Sequence, residues 1–224
     1  MTRTDGEAYW QFLDLAEKAV RERTSVVHAM LRTGSVAGTW HPNGFATFEI
    51  ELVEGLGLIR LHVWARHLRR SVPRHPEIHS HSFPLYSRVL CGTYRENQYE
   101  ASETTAAGGM CAYRVVPTGR GGPDVLRRSE SRYTATPILA EDAVFPAGSW
   151  HDLPAGVFHS TLIPPDDFCA TIAVLGRHLP GVTDVLLGEA GFEQLNRSRA
   201  WLTSPELTEI RRQFDAESRA CGER

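Results

Sequence analysis

Apolar residues in the first part of the chain recur at helical spacing. Trp10, Leu13, Ala16 and Val20 follow one another at intervals near 3.6, and Val27, Met30 and Leu31 continue the stripe before Gly34. That period predicts an N-terminal helical region over 4–32. From residue 45 the period falls to two. Ala46, Phe48, Ile50 and Leu52 alternate with Thr47, Glu49 and Glu51; beyond the glycines at 55 and 57, Ile59, Leu61 and Val63 alternate with Arg60, His62 and Trp64. Alternate residues of a strand share a face, so the two runs read as a hairpin. Further strands are expected at 86–100, 110–116, 130–139, 143–151, 157–163 and 168–175, separated by clusters of Gly, Pro and Asp. The piece 118–129, TGRGGPDVLRRS, reads as a Gly-rich surface loop; it lacks the strand-turn-helix context and the spacing of a phosphate-binding loop. Gly188 to Trp201 and Pro205 to Ser218 read as helical. Ser204 offers an N-cap ahead of Pro205, and Leu207, Ile210, Arg211 and Phe214 form an amphipathic stripe.

These elements predict a mainly β, single-domain protein: an antiparallel β-barrel over 45–175, flanked by helical regions at 4–32 and 188–218. The 224 residues suffice for one such domain and its core. Net charge is −3, which gives no basic footprint for nucleic acid, and no apolar run is long enough to span a bilayer. The start, MTRTDGEAYWQF, lacks the apolar core of a signal peptide, so a cytoplasmic protein is expected. Four cysteines, Cys91, Cys111, Cys169 and Cys221, form no CXXC pair and read as reduced thiols, the first three packed as small hydrophobes within strands. Positive charge is almost all arginine, Lys18 being the only lysine. The cluster Arg66, Arg69, Arg70 and Arg74 reads as a solvated loop, with the attraction of an anionic substrate as the alternative. A homodimer through the C-terminal stripe or an exposed strand is compatible with the pattern but not specified by it.

Chemistry concentrates in HPEIHSHSFPLYSRVLCG, from His75 to Gly92. On a strand, His79 and His81 point the same way, at the spacing of two cis ligands of one transition metal. A third ligand comes from GSWHDLPAGVFHSTLI, where Gly148, Pro154, Gly156 and His159 recur at fixed intervals. Together the two stretches resemble the metal motifs of the cupins, G(X)5HXH(X)3-4E(X)6G and G(X)5PXG(X)2H(X)3N. His79, His81 and Gly92 fit the first; Gly148, Pro154, Gly156 and His159 fit the second. The motif's carboxylate is missing, because its position holds Leu85 or, with the longer spacer, Tyr86; the leading glycine is absent, and Ile163 stands where asparagine is usual. The resemblance implies a jelly-roll barrel of the cupin type and a neutral three-histidine site, with Tyr86, or less readily Glu77, as the nearby group able to act as a fourth ligand.

Three neutral imidazoles would leave a divalent ion its full charge and open positions for a chelating substrate and O2. Imidazole suits Fe, Mn, Ni, Cu and Zn alike; Fe(II) is expected because three-histidine cupins resemble iron dioxygenases. The layout over 45–175 is similar to the thiol dioxygenases of the cysteine dioxygenase type. It departs from them at the substrate arginine, where Phe48, Glu49 and Ile50 stand, and at the Ser-X-His-X-Tyr series, where Cys169, Thr171 and Ala173 stand. Oxidation of another small chelating molecule is therefore the expected activity, with a Lewis-acid isomerase or lyase and a non-catalytic small-molecule binder as the alternatives. Tyr86 and His151 are the expected proton donors or acceptors, and Arg88, Arg60 and His62 the expected substrate contacts. On this account Tyr86 contributes about 10²- to 10⁴-fold in rate. His28, His41, His67, His75 and His178 are expected at the surface.

Overall fold

One uninterrupted helix, α1 (Arg3–Thr33), occupies the region of helical period. It buries Leu13, Ala16, Val20, Val27 and Leu31, while Trp10, which the helical spacing places at the start of that stripe, stays 68% exposed. The computed structural model describes residues 3–34, 36–116, 124–138, 143–189, 191–197 and 199–222. After α1 come β1 (Gly38–Trp40), β2 (Asn43–Gly44), β3 (Ala46–Val53), β4 (Gly57–Trp64), β5 (Arg70–Ser71), β6 (Ile78–Ser80), β7 (Leu85–Thr104) and β8 (Met110–Val116). There follow β9 (Asp124–Ile138), β10 (Val144–Pro146), β11 (Trp150–Leu153), β12 (Phe158–Thr161), β13 (Cys169–Leu175), β14 (Val185–Gly188), β15 (Gln194–Arg197) and the terminal helix α2 (Ser204–Gly222). The protein is mainly β, with a helix near each end.

Thirteen strands join in one sheet, in the order β1-β3-β4-β13-β7-β12-β6-β14-β8-β9-β15 with β10 and β11 added beside β7; β2 and β5 pair separately. The pairings among the described residues are antiparallel. The path from β7 through β12, β6, β14, β8 and β9 returns to β7, because β9 pairs with it as well. The 20-residue β7 links the two halves: its first part pairs with β13 and β11, its second with β12 and β9. Gly92 marks the change. Its φ is +74°, and a Cβ there would collide with the carbonyl oxygen of Phe168, so only glycine fits this close approach of two backbones.

Strand alternation gives the β4-β13-β7 part of the sheet two unlike faces. Ile59, Leu61 and Val63 of β4 and Ala170, Ile172 and Val174 of β13 pack with Phe48 against α1 and α2, where Ile210 and Phe214 are fully buried. The opposite residues, Arg60, His62, Thr171 and Ser87, line a cavity. A register shift between Ala170 and Thr171 adjusts β13 against β7.

The C-terminal helical region is shorter than the sequence suggests. Gly188 to Trp201 does not form a helix: Val185–Gly188 pairs with β6 and β8, and Gln194–Arg197 pairs with β9. Leu186 is buried and Leu195 packs on the same small core, so the open edges of β8 and β9 override a weak helical spacing. Likewise Asp124 to Ser129, expected in a loop, belongs to β9; residues 118–123 of that loop lie outside the described residues. The cap of α2 is Thr203 rather than Ser204. Thr203 N–H and Oγ1 donate to Glu206 Oε2 at 2.7 and 2.8 Å, and Glu206 N–H reaches Thr203 Oγ1 at 3.5 Å, the reciprocal bonds of a capping box.

Candidate metal centre and its cavity

His79 lies on β6 and His159 on β12, and the two residues stand directly opposite each other in the antiparallel pair. Cross-strand neighbours on one face bring their side chains together; here the ring centroids are 4.2 Å apart. His81 follows β6 on the same parity, its centroid 4.8 Å from His79 and 5.1 Å from His159. One ring nitrogen from each of the three lies within 4.8 Å of the others. The spacing HXH and the remote histidine thus meet through strand pairing.

Their hydrogen bonds orient them for metal. His79 Nδ1 is 2.8 Å from the Glu77 carbonyl oxygen, and His159 Nδ1 is 3.3 Å from that of Val157. A carbonyl oxygen only accepts, so in each ring Nδ1 carries the hydrogen and Nε2 keeps its lone pair. Burial, then the mutual proximity of the imidazoles, holds His81 and His159 far below the usual histidine range. A neutral imidazole is the ligand form. The donor set and its tautomers fit a divalent transition ion.

The three histidines open on a cavity of about 850 Å³. Arg60 and His62 reach it from β4 and His151 from β11, as the sequence suggests. His151 is buried, stacked 4.5 Å from the Tyr94 ring and 4.9 Å from Phe145. Burial alone pushes it down to about 4, and its Nδ1 has no hydrogen-bond partner among the described residues. Beside it Tyr94 donates to Glu96 Oε2 at 2.9 Å and lies 3.1 Å from Thr161 Oγ1. Glu96 is itself buried, and desolvation raises its carboxyl.

Tyr86 and Arg88 are not brought to this cavity. They alternate with Leu85 and Ser87, which line it, so strand parity sends them to the helical side. Tyr86 stacks on Trp150 at 5.1 Å and its hydroxyl donates to Glu17 of α1 at 3.3 Å. Burial, with Glu17 next, pushes the phenol up to about 12, the wrong direction for an anionic ligand. Arg88 lies over the same Trp150 ring at 5.5 Å. Glu77 is exposed and gives the site its carbonyl instead.

Several residues expected at the surface belong to the cavity wall. His41, His75 and His178 line it; His41 stacks on Phe45 at 4.3 Å and His178 Nδ1 lies 2.5 Å from Ser82 Oγ. Turns beside these histidines suggested exposure, and only the folded path of the sheet turns them inward. Arg199 and Asp124 also line the cavity, and no local pattern marks either. His67 is exposed, as expected, and His28 half-buried against Phe214. The Arg66–Arg74 cluster does not line the cavity: Arg66 pairs with Glu217 at 2.7 Å, and Arg69 donates to backbone carbonyls of Ala65, Pro164 and Asp167. Cys91, Cys111 and Cys169 are buried free thiols. Among the described residues no helix is long and apolar enough to cross a membrane.

No family model matches the chain, and no curated protein matches it. Among solved structures, the crystal structure of Drosophila melanogaster CENP-C bound to CAL1 aligns with 70% of this chain and 98% of that one, at 12% identity and a TM-score of 0.35. A likeness that small decides nothing about the site. The mainly β fold and the three-histidine cluster are compatible with a cupin.

Proposed function

We propose that the chain is a cupin-type metalloenzyme, a dioxygenase or related oxygenase, in which His79, His81 and His159 hold Fe(II) and a small chelating organic substrate occupies the cavity. The observation that carries this is the convergence of three imidazoles, two with Nδ1 committed to backbone carbonyls, on one point of a cavity wall. The strand path that leaves β7 and returns to it supports a jelly-roll barrel as the scaffold. Fe(II) bound there would supply Lewis acidity and the capacity to activate O2; Mn, Ni, Cu or Zn would supply the first.

The chain's own residues supply the rest. Phe45, Trp64 and Leu186 are apolar positions in a mixed polar and apolar wall, against which the carbon frame of the substrate can pack. Arg60 and His62 stand where they can contact its polar groups. His151, neutral at physiological pH, lines the cavity, where its imidazole can accept a proton from the substrate or orient a substrate hydroxyl. That same imidazole favours one second reading: an isomerase or lyase in which the site polarises the substrate and His151 moves the proton.

Oxygen uptake tests the proposal. Fe(II)-loaded protein given a panel of small chelating compounds should consume O2 with at least one of them, and the His159→Ala variant should not. Turnover that proceeds equally well under anaerobic conditions would reject the oxygenase and leave the proton-transfer reading.

A further inference from the structure

Away from the three histidines, the cavity carries a second concentration of charge. Arg60 enters it from β4 and Arg199 from the segment between β15 and α2. Backbone pairing holds that segment: Trp40 N–H donates to the Ala200 carbonyl at 2.8 Å, Leu202 N–H donates to the Gly38 carbonyl at 2.9 Å, and Thr39 bridges to Trp201. Arg199 is therefore delivered by an extension of the sheet past β1.

The Arg60 side chain is only 11% exposed. Its Nη2 donates to Glu49 Oε1 at 3.0 Å, but that carboxylate is 68% exposed, where solvent screens the pair. Its Nε is buried and has no hydrogen-bond partner among the described residues. Burial first and the nearness of Arg199 second pull Arg60 down to about 10, and Glu49 and Asp124 do not restore it. Both arginines also help to hold His62 neutral. A buried guanidinium with a second cationic side chain near it costs stability until an anion joins them.

We propose that Arg60 and Arg199 form the anion subsite of the cavity, so that the substrate carries a carboxylate at one end and its metal-chelating group at the other. This rests on the three-histidine centre proposed above. The two loci share one chamber: Arg60, Arg199 and the three histidines line the same cavity. A planar carboxylate matches the fork of a guanidinium, and paired bonds fix the distance from anion to reacting atoms.

Titration calorimetry of the full chain, metal-free and Fe(II)-loaded, with butyrate, butyramide and inorganic phosphate tests the subsite without requiring turnover. Butyrate should bind and butyramide, its neutral isostere, should not. Arg60→Gln and Arg199→Gln should each weaken butyrate about ten- to a hundredfold, the loss of a charge-assisted hydrogen bond. Equal binding of butyrate and butyramide, no butyrate binding at millimolar concentration, or tighter binding of phosphate would overturn the assignment; the wild-type comparison alone decides these, should a variant fail to fold. Metal content of the same samples separates the two claims. Butyrate binding that depends on the arginines in a chain that takes up no metal keeps the subsite and sinks the metal centre; one ion bound without carboxylate preference does the reverse.

Discussion

Strands β4 and β13 present two faces built from the same stretches of sequence, and the faces have opposite characters. Toward the helices, Leu61, Val63, Ile172 and Val174 are fully buried in the main apolar core. Toward the cavity, on the alternate positions, stand His62, Trp64 and Thr171, with Arg60 beside them; buried polar atoms there, including Arg60 Nε and Ser87 Oγ, go without partners among the described residues. The helical face makes the structure stable, and the cavity face gives up part of that stability by burying polar groups without partners.

Truncation on the helical face should have the largest effect. Leu61→Ala or Ile172→Ala should cost about 2–5 kcal/mol in denaturant unfolding, whereas Ser87→Ala on the cavity face, which removes an unpartnered hydroxyl, should be within about 1 kcal/mol of neutral. Equal costs on the two faces would break the distinction.

Acid should act on the cavity face. His151 is lowered from 6.5 to about 4 by burial, so between those values the unfolded chain binds a proton that the folded chain does not, and stability rises with pH across the window. Acidification through it should remove about 3 kcal/mol through this group alone. Replacement by phenylalanine, which suits the stack on Tyr94 and Phe145, should flatten that part of the profile. An unchanged slope in His151→Phe would place the acid sensitivity elsewhere.

The smallest effect is expected at Tyr86. Tyr86→Phe loses one hydrogen bond to Glu17 on the helical side, about 1 kcal/mol or less, and should leave metal content and turnover unchanged. A rate loss of 10²-fold or more, as expected of a general acid, would show that Tyr86 reaches the substrate and that the division of faces fails there.

Where the sequence carried a strict period, it was readable. The stripe Leu13, Ala16, Val20 gave α1, the alternation around FATFEIELV and LIRLHVW gave β3 and β4, and two spaced motifs gave the three histidines that the fold brings together. Parity also put Arg60 and His62 on one face. Tyr86 misled because the motif's spacer allows either of two adjacent positions, and neighbours on a strand face opposite ways; the register of β7 against β13, Tyr86 opposite Val174, decides between them. Gly188 to Trp201 misled because its few apolar residues are consistent with more than one period, and the free edges of β8 and β9 determine the outcome. Arg199 and His41 had no local signal at all. Their place on the cavity wall depends on the way the segment after β15 returns alongside β1.

The central claim is that His79, His81 and His159 form one metal centre, and metal stoichiometry tests it most directly. After anaerobic reconstitution with Fe(II) and desalting, elemental analysis of the wild-type chain should give about one ion per chain, and the His79→Ala/His159→Ala double variant, checked for native circular dichroism, should give essentially none. Full retention of iron by that folded double variant would contradict the account.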